Sequence, residues 1–202
     1  MIKKPQNWEN VQVMTDRAKL PLGAYVCQIK QVAVQNTDYG AQLAILFDIS
    51  EGEFKDFFQK DFQGNQNADR KWRGVLRQWL PKDDGSEKDE ITKRIFKGFV
   101  TSFENSNPGY KWNWDESSLV GKTVGILFRN EEWDYNGKQG WAVRPFRAMT
   151  ADKARSGNYV LPDDKPLNNK GYRMGEANDT AFVNNSQPAF TEVNVDDDEL
   201  PF

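Results

Sequence analysis

Hydrophobic and polar residues alternate along five stretches of this chain, which is the pattern of strands with one buried face. The stretches are residues 22–34, 43–49, 54–62, 123–135 and 140–149. The second is the clearest, because Leu43, Ile45, Phe47 and Ile49 alternate with less apolar neighbours. The alternation predicts five strands whose apolar sides face one core.

Two segments between the third and fourth strands have helical periodicity instead. The first has Asn67 or Asp69 as its candidate N-cap and should end at Pro81. The second should start after Ser86, with Asp89 completing an imperfect capping box. The residues expected on the buried stripes are Trp72, Val75, Leu76, Trp79 and Leu80 in the first helix, and Ile91, Ile95, Phe99 and Phe103 in the second.

The order of these elements is three strands, a helical insert at about residues 67–118, and a closing hairpin. Asn136-Gly137 predicts a type I′ turn between the last two strands. A five-stranded OB barrel has this order, with its helix between the third and fourth strands. We therefore expect a mainly-β protein with a helical insert, built as an OB-fold barrel. An α+β domain with an open antiparallel sheet is the rival architecture.

Charge divides the chain into a body and a tail. Residues 1–155 carry 24 Lys and Arg against 21 Asp and Glu, whereas residues 156–202 carry 3 against 9. We expect an N-terminal arm at 1–20, a domain at 21–155, a flexible linker at 156–192 and an acidic tip at 193–202. The apolar residues of 160–162 and 166–167 predict a short docked extension, and disorder is expected from Asn168 onward.

Composition narrows the classes of function. The chain has no histidine and one cysteine, Cys27, which removes the usual catalytic dyads, disulfide scaffolds and cysteine-rich zinc sites. We expect no cofactor, no metal and no enzymatic activity. The chain has no run of 18 apolar residues and no apolar stretch at its start, so we expect a cytoplasmic protein without membrane contact.

Aromatic residues lie beside cations on several of the expected strands. Single-stranded nucleic acid binds to surfaces of this kind, where bases stack on rings and cations follow the backbone. If Asn136-Gly137 forms a two-residue turn, Arg129 falls opposite Arg144, and an anion between them would offset their repulsion. Each residue taken alone could equally be a core ring or a solvated charge. The candidate DNA-binding set is Lys30, Lys55, Phe57, Lys60, Arg129, Trp133, Tyr135, Lys138, Trp141, Arg144 and Arg147.

The last residues form an acidic run with an apolar end. Such a run is too acidic to pack on itself, yet its Leu-Pro-Phe end suits an apolar pocket with a basic rim on a partner. This ending resembles the C-terminal tip of bacterial and phage single-stranded DNA-binding proteins, where the tip recruits replication and recombination enzymes. The candidate partner-binding residues are Asp196, Asp197, Asp198, Glu199, Leu200, Pro201 and Phe202.

The body is similar to phage and prophage single-stranded DNA-binding proteins encoded beside recombination genes. The similar stretches are residues 20–25, 119–126 and 143–147 together with the Asn136-Gly137 turn. The resemblance implies an OB-fold body, non-sequence-specific binding and protection of single-stranded DNA in phage-type replication or recombination, and a partner-recruiting tail. The long insert departs from the bacterial housekeeping protein, so its tetramer is not carried over and a homo-oligomer is left open.

Two other functions are kept as alternatives. A protein-binding OB adaptor without nucleic-acid binding fits the mixed charge of the body. A nuclease with carboxylate-bound metal is less favoured, because Asp83, Asp84, Asp89 and Glu90 lie in a loop and a helix start, where acids are expected anyway.

Overall fold

The computed structural model describes residues 2–10, 18–67 and 69–167. It is mainly β, with one five-stranded antiparallel sheet and few helices. The strands and helices, in chain order, are β1 (Ala24–Thr37), β2 (Gly40–Ile49), α1 (Phe57–Gly64), β3 (Val75–Trp79), α2 (Glu87–Ser106), β4 (Thr123–Tyr135), β5 (Lys138–Met149) and α3 (Ala151–Ser156). Short 3₁₀ turns occur at Trp8–Asn10 and Glu116–Leu119.

The strands lie in the order β3-β2-β1-β4-β5, with β1 at the centre. β1 pairs with β2 along most of its length but with β4 only from Ala24 to Gln28. A bulge at Lys30 shifts the β1–β2 register by one residue. The apolar side chains of β1 therefore face the core both before the bulge, at Ile29, and after it, at Val32. β3 and β5 are the two edge strands of the described sheet.

The core lies on one side of the sheet, beneath α2. The apolar side predicted for the second strand faces the core, because Leu43, Ile45, Phe47 and Ile49 all belong to the core cluster. Burial itself does not alternate along β2, since the residues between them are buried too, on the other side of the strand. Phe99 and Phe103 of α2 pack into the same cluster. The other core residues supplied by the strands are Cys27, Ile29, Leu76, Val124, Ile126 and Phe128.

The third predicted strand, residues 54–62, is wrong: the chain turns there and then forms α1. The cause is the buried side chain of Asp48 on β2. One of its oxygens accepts the backbone N–H of Phe58 at 3.0 Å, and the other accepts that of Gln59 at 3.0 Å. These are the unpaired donors of a helix N-terminus, so a carboxylate from a neighbouring strand caps α1.

The helix predicted after Asn67 is also wrong, because its centre is the strand β3. Leu76 enters the core while Val75 and Trp79 are half-buried on the other side. Apolar residues thus stand on both sides of this strand, with the exposed Arg77 between Val75 and Trp79, and their spacing imitates a helix. Trp72 lies before the strand, and its ring nitrogen donates to the carbonyls of Phe47 and Gly74.

The second predicted helix is confirmed as α2. The Ser86 side chain accepts the backbone N–H of Asp89 at 3.1 Å, which completes the predicted N-cap. The buried stripe is shifted by about one residue at its start, since Phe96 is buried where Ile95 was expected. Ile95 is instead 48% exposed.

The chain after β5 returns to the sheet through Tyr159 and Lys165, whereas the apolar residues expected to dock, Val160, Leu161 and Leu167, are 77%, 47% and 49% exposed. The Tyr159 hydroxyl accepts the backbone N–H of Ala24 at 3.1 Å. Lys165 then exchanges backbone hydrogen bonds with Asn130 and Glu132 on β4, where β1 no longer covers that edge. None of the helices in the described part of the chain is long and apolar enough to cross a membrane.

Candidate nucleic-acid interface

The β4–β5 hairpin extends beyond the rest of the sheet. Its turn is the one predicted, because Asn136 and Gly137 both have positive φ angles, 51° and 74°, as a type I′ turn requires. β1 stops pairing with β4 at Leu127, so residues 129–144 form a projecting two-stranded ribbon. We call these residues the hairpin arm.

The arm has two faces of different charge. Residues that pair across the ladder share a face, so the register assigns each side chain to one of them. One face, the cationic face, consists of the pairs Arg129–Arg144, Glu131–Ala142, Trp133–Gly140 and Tyr135–Lys138. The opposite face, the acidic face, consists of the pairs Asn130–Val143, Glu132–Trp141 and Asp134–Gln139. The first carries three cations and one acid, whereas the second carries two acids and no cation.

A β-bulge at the base of the arm gathers arginines on the cationic face. Leu127 pairs with Arg147 and Phe128 with Pro145, so Phe146 is the extra residue. Counted from the turn, the bulge lies beyond the Arg129–Arg144 pair and does not change its register. The predicted opposition of these two arginines is therefore confirmed. It also keeps Arg147 on the same side as Arg144.

Phe146 and Glu131 hold the arginine side chains in place. The Arg129 guanidinium lies 4.3 Å from the centre of the Phe146 ring, and that of Arg147 lies 5.6 Å from it. Arg129 also donates to a Glu131 oxygen at 2.6 Å. Its Nε is buried and has no partner among the described residues. Desolvation lowers the pKa of Arg147, but an arginine starts so far above neutral that it stays charged.

Trp133 lies flat across the neighbouring strand. A side-chain carbon added to Gly140 would come within 2.8 Å of the Trp133 ring, so only a glycine lets the ring lie there. The side chain of Tyr135, next along the same face, is 72% exposed. Two rings and the Lys138 ammonium therefore follow one another from the middle of the arm to its tip.

The remaining candidates lie in a second place, around the start of α1. Lys30 and Lys55 line a cleft of about 260 Å³ whose walls also include Asp48 and Asp56. Lys60 donates to the backbone carbonyl of Lys55 at 2.8 Å. Lys30 is six residues along β1 from Ala24, which pairs with Leu127, so Lys30 lies roughly 20 Å along the strand from the base of the arm.

Two aromatic candidates are separated from the cationic face. The Phe57 ring is half-buried and packs edge-to-face on Phe58, with 5.2 Å between ring centres, so its surface is used inside the protein. Trp141 is 51% exposed but stands opposite Glu132 on the acidic face. The structure thus unites Arg129, Trp133, Tyr135, Lys138, Arg144 and Arg147 on one face and leaves the other candidates elsewhere.

Arg77 and Trp79 on β3 were missed by the sequence reasoning. Arg77 pairs with Ala44 and Trp79 with Gln42, both on the side of β2 that faces away from the core. This is also the side of the sheet to which the cationic face belongs. Reading residues 75–79 as a strand would have found them, because Arg77 alternates with Leu76 and Gln78.

The acids considered for a metal site are engaged within the protein. Lys93 forms ion pairs with Asp83, Asp89 and Glu90, and the hydrogen bonds it donates to Asp83 and Glu90 raise its pKa. Asp84 accepts the backbone N–H of Ser86 at 2.9 Å. Across residues 2–10, 18–67 and 69–167, no group of three or more His, Cys, Asp or Glu side chains could hold a metal ion.

The predicted acidic tip, the disorder expected from Asn168 and most of the predicted linker lie outside the described residues. Comparison of the sequence with models of known protein families and with curated proteins finds no match.

Proposed function

We propose that this protein binds single-stranded DNA along the cationic face of the hairpin arm, without sequence specificity. The observation that carries the proposal is the combination of arginines clustered at the base of that face with the rings of Trp133 and Tyr135 beyond them. Guanidinium groups attract phosphates, and flat rings stack on any base. Stacking of this kind contributes roughly 1–3 kcal/mol per base.

We further propose that the sheet is an OB-fold barrel. The pairs β1–β2, β2–β3, β1–β4 and β4–β5 agree with that topology, and the edge strands β3 and β5 contact each other. OB folds bind oligonucleotides on the outer side of strands 2 and 3, between the β1–β2 and β4–β5 loops. Arg77 and Trp79 then extend the binding surface from the arm across β3.

The cellular role we propose is protection of single strands during phage-type replication or recombination, with the acidic tip recruiting partner enzymes. The support is the sequence resemblance of the tip, together with the chemistry of Leu-Pro-Phe after four acids. The role needs no catalytic step, cofactor or metal.

A protein-binding adaptor is the second candidate, and one observation favours it. The Arg129–Glu131 ion pair partly neutralises the cationic face from within. A polypeptide ligand tolerates such a mixed surface better than a phosphate backbone does.

Trp133 and Trp141 provide a matched pair of variants, because they occupy opposite faces of the same arm. Trp133→Ala is expected to weaken binding of labelled oligo-dT by about 5- to 100-fold, the loss of one stacked base. Trp141→Ala should change it less than about twofold on the same basis. Fluorescence anisotropy measures both affinities, and urea unfolding checks that both variants fold.

Equal losses in the two variants would argue against the cationic face as the binding surface. A loss in Trp141→Ala alone would move the site to the acidic face and contradict the charge argument.

A further inference from the structure

A column of stacked rings runs from the core to the surface beside α2. Phe99 and Phe96 are buried, with ring centres 5.8 Å apart and planes inclined by 21°. Trp114 stacks on Phe96 with its centre at 6.2 Å and an inclination of 29°. It is 78% exposed, so the column ends in a ring whose outer face meets solvent.

The backbone at Trp114 is held in an unfavourable conformation. Its φ angle is +66°, in the left-handed region that bulky residues rarely adopt and that costs on the order of 1–3 kcal/mol. The neighbouring Trp112 packs on the core and meets Trp114 edge-on at 6.3 Å. Glu104 of α2 accepts the backbone N–H of Trp112 at 3.2 Å. The segment that carries the exposed ring is therefore tied to the core and to α2 through Trp112.

Two exposed lysines belong to the segments that carry this ring. Lys111 is 82% exposed and forms an ion pair with Glu104 at 3.2 Å. Lys97 lies two helical turns before Glu104, on the same flank of α2, and is also exposed. The carboxylate of Asp115, the next residue after Trp114, is turned toward Ser117, whose N–H and hydroxyl it accepts. The segments around the ring thus carry two exposed lysines, Lys97 and Lys111, and two carboxylates, of which Glu104 pairs with Lys111 and Asp115 faces Ser117.

We propose that Trp114 is a second stacking site, which binds a base of single-stranded DNA beyond the segment held by the hairpin arm. A planar base would continue the parallel column of Phe99, Phe96 and Trp114, and the lysines would meet its flanking phosphates. A stable protein interface needs about 800 Å² of surface per partner. Between residues 87 and 119 the exposed large apolar residues are Trp114 and Ile95, and Ile95 lies on the opposite flank of α2 from Glu104. Two separate side chains present less surface than such an interface needs.

This inference rests on the proposed function, and oligonucleotide length separates the two. An OB fold contacts about 4–16 nucleotides, so an 8-mer of dT fits within one site and a 30-mer extends beyond it. Trp114→Asn removes the ring and keeps a residue that tolerates the left-handed backbone. It should leave binding of the 8-mer unchanged and weaken binding of the 30-mer about fivefold or more.

Two further variants serve as controls, all in the full chain and with folding checked by urea unfolding. Trp114→Tyr retains a ring and should restore most of the affinity for the 30-mer. Ile95→Ala removes exposed apolar surface from the other flank of α2 and should change neither affinity.

Each contrary result overturns a different statement. If Trp114→Asn binds the 30-mer like the unsubstituted protein, the second site is wrong and the proposed function stands. If it loses the 8-mer and the 30-mer equally, Trp114 does not form a separate site. If Ile95→Ala costs as much as Trp114→Asn, stacking is not the cause. If the unsubstituted protein binds neither oligonucleotide, the proposed function and this inference both fall.

Discussion

Asp48→Ala should lower the free energy of unfolding by about 3 kcal/mol, because three backbone N–H groups lose their acceptor. The Asp48 side chain is almost fully buried and accepts the N–H groups of Ile49, Phe58 and Gln59 at 2.8–3.0 Å. Loss of the α1 cap should also loosen Phe58, which stacks on the core ring of Phe128 and meets that of Phe47 edge-to-face. Urea unfolding at neutral pH measures the change.

Asp48→Asn serves as the matched control, since it keeps one acceptor oxygen and the shape of the side chain. Burial raises the pKa of Asp48, and the three N–H donors offset this only in part. Because the pKa of Asp48 is raised in the folded state, protonation of this carboxyl favours folding. Its contribution to the free energy of unfolding is therefore full at low pH and is lost as pH rises through the folded pKa.

The stability of the unsubstituted protein relative to Asp48→Asn should therefore increase as pH falls from about 7 toward the unfolded pKa near 4. A constant or decreasing difference over that range would show that the backbone donors, and not burial, dominate this carboxyl.

Gly74→Ala should destabilise the protein by about 2–3 kcal/mol through overpacking. A side-chain carbon at Gly74 would lie 2.5 Å from the Phe47 carbonyl oxygen and 2.7 Å from the Phe58 ring. The contact with backbone cannot be relieved by a rotamer change. The Gly74 carbonyl also accepts the backbone N–H of Phe47 and the Trp72 ring N–H, so any shift disturbs the start of β3.

Gly98→Ala is the control for Gly74→Ala, because the same substitution meets open space there. Gly98 is exposed in the middle of α2, with no atom within 4 Å of the added carbon. Alanine should stabilise the helix by roughly 0.5–1 kcal/mol. Similar changes in the free energy of unfolding for both variants would contradict the packing described around Gly74.

The parts of the fold that sequence reasoning predicted depend on local signals. The alternation predicted strands β2, β4 and β5, and Asn136-Gly137 predicted the hairpin between β4 and β5. Ser86 predicted the start of α2. Each signal lies within a few residues of the feature that it specifies.

The parts that failed depend on distant residues. Phe54, Phe58 and Phe62 are spaced by four, which fits a helix as well as one face of a strand. The choice is made by Asp48, which reaches α1 from another strand. β3 imitates a helix because apolar residues stand on both of its sides, Leu76 toward the core and Val75 and Trp79 away from it.

The candidate site was predictable to a similar degree. The turn fixes the register of β4 against β5, and this register places Arg129 opposite Arg144. It also puts Trp133 and Trp141 on opposite faces, because side chains alternate along each strand. The bulge at Phe146, which brings Arg147 to the same face, has no clear sequence signal. Lys55 and Lys60 were grouped with the arm because residues 54–62 were interpreted as a strand of the same barrel face.

The most direct test of the proposed function is fluorescence anisotropy with labelled dT of about thirty nucleotides at two salt concentrations, with a duplex of equal length as control. Binding should be tight for the single strand and much weaker for the duplex. Its affinity should fall with rising salt, with a slope of about −0.7 per cation displaced. No binding at low salt, even with residues 193–202 removed, would contradict the single-strand role and favour the protein-binding adaptor.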